Sequence, residues 1–231
     1  MSSTARYNSL FLLNLYPRMN TNLMYCTAFL KKETLEFLKS FLFSIKLSSR
    51  IDFDILIMTS REFLEEVKLI STILNIPFKI MVIECLTLQE VVLSRLRIFE
   101  YANIKEYSKI LYLDTDILIH RHITPIFQLP LEDKLYAVNE PGITLESIYH
   151  GGTIFDFTKV DKNLPGINAG VLLFNNSDTI SKLFTRILYH VSKLTDTIEG
   201  VDQVLLNYYG ITDNLLGPNI LGEYVFLSNK T

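Results

Sequence analysis

Two carboxylates, Asp114 and Asp116, stand one residue apart. The apolar run Ile110-Leu-Tyr-Leu113 precedes them and Ile117-Leu-Ile119 follows. In an extended chain, residues i and i+2 point to the same side. Both carboxylates can therefore face one hard cation, Mg²⁺ or Mn²⁺, which takes oxygen ligands and completes its shell with phosphate oxygens. Without a cation, two anionic groups at a strand end repel each other. A solvated Asp-x-Asp turn is the plain alternative, and the apolar flanks favour the cation site over it. The histidines His120, His122 and His150 are not assigned as ligands; the first two, just past the pair, read as solvated. Cys26 and Cys85 make no metal cluster and no disulfide framework, and read as buried thiols.

The elements that must position the pair follow from patterning. Leu23–Phe29, Phe53–Met58, Ile80–Ile83 and Ile110–Leu113 read as buried strands. Helical spacing covers Glu33–Leu47, with Thr34 as a candidate cap, then Glu62–Leu74 behind Thr59-Ser60, and Leu88–Ile104. This alternation demands crossovers and predicts an α/β fold, a Rossmann-like, mostly parallel central sheet with helices on both faces. Such sheets bind ligands at the carboxyl ends of their strands, and the fourth strand ends at Asp114. Further along, Leu135–Val138 and Ile167–Phe174 read as strands, Glu140–Gly166 as a long loop, Thr179–Leu194 as a helix and Asp202–Tyr209 as a short one. The expected organisation is a leader over residues 1–22 and one domain over 23–231, with a nucleotide-binding part at 23–119 and a second part at 120–231. Apolar residues make up 48% of the 231 positions and the net charge is −3, which argues against disorder and against a dedicated nucleic-acid binder. The run Leu10–Tyr16, interrupted by Asn14, is too short for a membrane span, so a soluble, cytoplasmic protein is expected.

Four segments, in order, resemble glycosyltransferase family 8, the glycogenin and lipopolysaccharide-galactosyltransferase group. Tyr107-Ser-Lys-Ile-Leu-Tyr-Leu-Asp-Thr-Asp116 is similar to its acidic strand, and Arg95 to a basic residue that approaches the donor phosphates. Asn168-Ala-Gly170 is similar to a strand bordering the sugar, and Asp202-Gln203-x-Leu-Leu-Asn207 to a helix start. Ala137-Val-Asn139-Glu-Pro-Gly142 is a weaker match. The resemblance spans about residues 23–210. It implies a GT-A fold and retaining transfer of a hexose, glucose foremost, from a UDP-sugar to a protein or oligosaccharide hydroxyl. Self-glycosylation of the glycogenin kind would be one form of it. It further implies Mn²⁺ or Mg²⁺ on Asp114 and Asp116, and donor contacts from Tyr25, Cys26, Thr27, Arg95, Thr115, Asn139, Asn168, Ala169 and Gly170. Asp202 and Gln203 would line the sugar pocket and carry catalysis, with Glu199 as a second carboxylate near them.

Departures from the family pattern set further expectations. Its "T-N-D-x-Y" base contact reads Thr27-Ala-Phe-Leu-Lys31 here, so base recognition is expected from backbone groups around Tyr25 to Thr27. The 231 residues hold no tryptophan and no histidine segment of the kind that supplies the family's third metal ligand. That ligand is expected from outside this stretch or from another residue. A homodimer is compatible with this reading; no membrane span is expected. Two rivals remain open at this point: a non-catalytic nucleotide-sugar-binding protein on the same fold, and a haloacid-dehalogenase-type phosphatase using Asp114 as nucleophile and Asp116 as acid/base.

Overall fold

Parallel strands covered on both faces need side chains that are apolar in both directions, and the strand runs of this sequence have that character. In the computed structural model, which describes residues 21–29, 31–48, 50–194, 198 and 200–225, they form one six-stranded sheet. Its strands are β1 (Thr21–Ala28), β2 (Asp54–Thr59), β3 (Lys79–Val82), β4 (Tyr107–Leu113), β5 (Leu135–Thr144) and β6 (Pro165–Asn175). The order across the sheet is β3-β2-β1-β4-β6-β5. β3, β2, β1 and β4 run parallel, whereas β6 pairs antiparallel with both β4 and β5.

Helices cover the two faces. On one lie α1 (Lys32–Ser48), α2 (Leu64–Leu74) and the single turn α4 (Thr124–Phe127). On the other lie α3 (Leu88–Ser94), α5 (Asp178–Val191) and α6 (Val201–Thr212). In α1, Leu38, Phe41, Leu42 and Ile45 recur at helical spacing and are 0% exposed, each contributing roughly 1.5–3 kcal/mol of transfer free energy. α3 is shorter than its apolar pattern predicts. A capping box of Thr87 and Glu90 starts it, and after Ser94 the chain tightens into a 3₁₀ turn through Glu100. That change of pitch occurs at Arg95, whose side chain is drawn into the interior.

Two other expectations are corrected. Thr34 donates its hydroxyl to the carbonyls of Lys31 and Phe29, and so fixes the turn before α1 without capping it. The stretch from Glu140 is not one long loop, because β5 continues through Pro141 and Gly142 to Thr144. Around that extension the ladder slips. Asn139 pairs with Ile167 and Thr144 with Pro165, so five steps along β5 oppose two along β6. This is a wide bulge on the edge strand, where the backbone is free to leave the ladder.

Beyond the end of β4, polar side chains of α6 hold β6, Asn207 most deeply buried among them. Asn207 is fully buried. Its Oδ1 accepts from the Ile167 N–H at 2.8 Å, and its Nδ2 donates to the carbonyls of Ile167 at 3.1 Å and Gln203 at 2.9 Å. Asn207→Ala leaves two main-chain groups of Ile167 buried and unpaired. The expected loss is about 3 kcal/mol, read as a lower denaturant midpoint with an unchanged slope.

Candidate active site

The chain winds from β1 outward to β3 and then returns to place β4 on the other side of β1. That reversal opens a crevice at the carboxyl ends of β1 and β4, where sheets of this kind bind ligands. Asp114 follows the last residue of β4, and its N–H donates to Gly170 of β6 at 2.9 Å. A cleft of about 210 Å³ lies there, lined by Thr27, Phe29, Thr34, Phe37, Val91, Asp114, Thr115 and Asp116. Asp116 is exposed and Asp114 partly buried.

Arg95 organises the floor of this crevice. Its side chain is only 13% exposed. Nη1 lies 3.4 Å from Asp114 Oδ1 and donates to the Ala169 carbonyl at 2.7 Å. Nε lies 3.1 Å from Asp202 Oδ2, but its hydrogen points to the Val92 carbonyl, so Asp202 Oδ2 is buried without a hydrogen-bond donor. Tyr112 lies beneath the guanidinium, its ring centroid 4.8 Å from Cζ, and donates its hydroxyl to Asp114 Oδ1. Tyr25 packs on Tyr112 with centroids 4.9 Å apart and donates to the Arg95 carbonyl at 2.7 Å. Burial opposes the charge on Arg95, yet Asp114 and Asp202 beside it hold its pKa above the usual range. Burial raises the Asp202 carboxyl, and Arg95 offsets part of the rise. One cation faces two aspartates, Asp114 and Asp202, so that trio carries an excess of negative charge. Open, oxygen-only donors of that sign suit a hard divalent cation that keeps phosphate and water ligands. Among the described residues no group of three or more His, Cys, Asp or Glu is arranged as a metal cluster.

The other flank is polar. Asn168 Oδ1 accepts from the Gly170 N–H at 2.8 Å. A Cβ on Gly170 would stand 2.7 Å from Asp114 Oδ2 and 2.9 Å from Asn168 Oδ1, so only glycine fits. Gln203 Oε1 accepts from the Ala169 N–H at 3.0 Å, and its Nε2 donates to the Tyr149 carbonyl at 3.3 Å.

The fold thus brings Thr27, Arg95, Asp114, Thr115, Asp116, Asn168, Ala169, Gly170, Asp202 and Gln203 to one end of the sheet. Asn139 stands on β5 opposite Ile167. Tyr25 and Cys26 do not present side chains to the cleft. Both are 0% exposed, Tyr25 as a prop under Arg95 and Cys26 on the opposite face against α1. Backbone groups of Tyr25 sit inside the ladder between β2 and β4, which leaves Thr27 as the cleft residue of that strand. Arg95, expected at the phosphates, is engaged by carboxylates and carbonyls. Glu199 and residues 1–20 lie outside the described residues. Sequence reasoning missed His150, which is buried beside Gln203. Its signal was the glycine pair that follows it, which marks a tight turn and not a solvated loop.

The sequence profile of Glycosyl transferase family 8 matches residues 45–209. The chain belongs to glycosyltransferase family 8. Membership removes the phosphatase reading of Asp114 and Asp116. The fold of this family 8 chain is similar to that of the glycosyltransferase GlyE from Streptococcus pneumoniae TIGR4, with a TM-score of 0.59 and 19% identity over 86% of this chain and 45% of that one. The apo form of GlyE gives a TM-score of 0.58 and 17% identity over 87% and 46%. The chain therefore spans under half the length of these solved relatives. No curated protein matches it by sequence. Among the described residues no helix is long and apolar enough to cross a membrane.

The site geometry generates a stability prediction. Arg95→Met leaves Asp114 and Asp202 facing each other uncompensated, and is expected to cost about 3–5 kcal/mol. Combining it with Asp202→Asn should recover part of that loss, measured by denaturant midpoints of the single and double variants.

Proposed function

We propose that the chain is a retaining hexosyltransferase that moves a hexose, glucose foremost, from a UDP-sugar to a hydroxyl of a protein or oligosaccharide acceptor. The observation that carries this reading is the Asp114/Asp116 pair at the mouth of the switch-point crevice, with unlike walls on its two sides. On the β1 side, Phe29, Phe37 and Val91 form an apolar slot suited to a flat base. On the β6 side, Asn168, Gln203 and Asp202 offer the hydrogen-bonding groups a sugar requires. A donor bound across the crevice has its diphosphate at the acid pair.

Asp114 and Asp116 would hold Mn²⁺ or Mg²⁺, and the cation when bound supplies charge neutralisation for the departing diphosphate. Tyr112 and Arg95 keep the Asp114 carboxylate aimed at that position. Asp202, held beside Arg95 on the β6 side, would be the carboxylate that stabilises positive charge at the anomeric carbon. Gly170 keeps the floor low enough for the sugar to lie over it.

The test is UDP release from UDP-glucose, UDP-galactose and UDP-xylose with and without Mn²⁺. Metal-dependent release is expected, and Asp114→Asn/Asp116→Asn should lower it on the order of 100-fold or more. Metal-dependent UDP binding without release would support a non-catalytic nucleotide-sugar-binding protein. Absence of binding would overturn both. Incubation with the active donor and Mn²⁺, followed by intact-mass measurement, distinguishes self-glycosylation: the chain gains whole hexose units if it is its own acceptor and none otherwise.

A further inference from the structure

His150 ends a 3₁₀ turn, Ile148–His150, and the turn carries its ring into the interior, where it is 0% exposed. The ring is tightly seated. A Cβ on Gly166 would fall 2.3 Å from its Cγ and Cδ2, so the backbone of β6 lies directly against the imidazole. Its Nε2 is 3.0 Å from Glu140 Oε2 and 3.3 Å from Gln203 Nε2. A carboxylate accepts and does not donate, so the hydrogen of the neutral ring belongs on Nε2, donated to Glu140. Gln203 then directs its amide hydrogen to the Tyr149 carbonyl. Nδ1 is left as an acceptor with no partner in a buried place.

That arrangement is a poor choice if the ring only fills space. An apolar side chain of similar size would pack there with no orphaned nitrogen and no buried partner for a carboxylate, and unsatisfied buried groups concentrate at functional sites. Burial holds the imidazole pKa below its ordinary value, with Glu140 opposing, so the ring favours its neutral, directional form. Glu140 itself stands in the bulge of β5, where five steps oppose two on β6, so the ladder does not set its direction.

We propose that His150 is a positioning residue for sugar transfer, its Nε2–H fixing the Glu140 carboxylate on the β6 side of the crevice. The inference rests on the transferase reading above. It adds that Glu140, held this way, accepts a hydrogen bond from a hydroxyl of the donor's sugar, and that His150 acts through it without touching substrate.

The experiment compares wild type, His150→Leu, His150→Gln, Glu140→Gln and the His150→Leu/Glu140→Gln double variant. UDP affinity with Mn²⁺ is measured by calorimetry, and KM and kcat with the active UDP-sugar by UDP release. His150→Leu is expected to leave UDP affinity within about twofold while lowering kcat/KM on the order of 10-fold. His150→Gln restores most of the loss, because its amide N–H reaches the same carboxylate. Glu140→Gln, a change at a partly exposed residue that leaves the core intact, reproduces the loss, and the double variant is no worse than either single one. Equal loss of UDP affinity and kcat/KM in His150→Leu with no rescue by Gln would make the ring merely structural and overturn the proposal. So would unchanged kinetics in Glu140→Gln, or additive losses in the double variant. Wild-type protein that binds no UDP would instead overturn the transferase reading, and this one with it.

Discussion

One buried guanidinium holds the working end of this molecule together. Arg95 leaves α3 where the helix tightens, and reaches Asp114 after β4, the Ala169 carbonyl on β6 and Asp202 on α6. Taking a cation out of water is costly, and only close opposite charge offsets it. Here two carboxylates do so, and in return the cation lets them stand near each other beneath an open cleft. Lysine could not take over the role, because one ammonium does not offer the planar fork that meets three partners in different directions. The two tyrosines below complete the support, Tyr25 from the Arg95 backbone and Tyr112 from its side chain.

From that centre the rest of the crevice follows. Around Arg95 the carboxylates of Asp114 and Asp202 outnumber the cation. β4 divides the crevice into an apolar half toward β1 and a hydrogen-bonding half toward β6. The antiparallel return of β6 is what brings the second half near, since a further parallel strand would carry its own carboxyl end, and not Asn168–Gly170, to the acid pair. The likeness to GlyE is one of fold, with a longer protein of which the present chain covers under half.

Much of this was legible in the residues alone. Buried parallel strands read as unbroken apolar runs, so β1, β2, β3 and β4 were placed to within a few residues, and Asp114 with them. The helix α1 was legible because its core positions recur every three or four residues. The remainder depends on contacts between distant segments. Nothing near Arg95 in sequence says that its charge turns inward, since Asp202 meets it only through the fold. Tyr25 and Cys26 are adjacent in a strand and face opposite ways, one under Arg95 and the other under α1, so what either side chain touches is set by the packing of the two faces. β5 was cut short because Pro141 and Gly142 read as a loop, although an edge strand tolerates both. His150 gave no periodic signal, and its burial is set by a turn and by a glycine sixteen residues later.

The bulge in β5 has an evolutionary corollary. Because the chain between Asn139 and Thr144 is not tied rung by rung to β6, its length is uncoupled from the register of the sheet. Insertions or deletions there would move the reach of a carboxylate toward the crevice while every other strand stays in place. Such a segment works as a shim. A change of length there would alter what the crevice holds while leaving the acid pair, its arginine and the packed core unaltered.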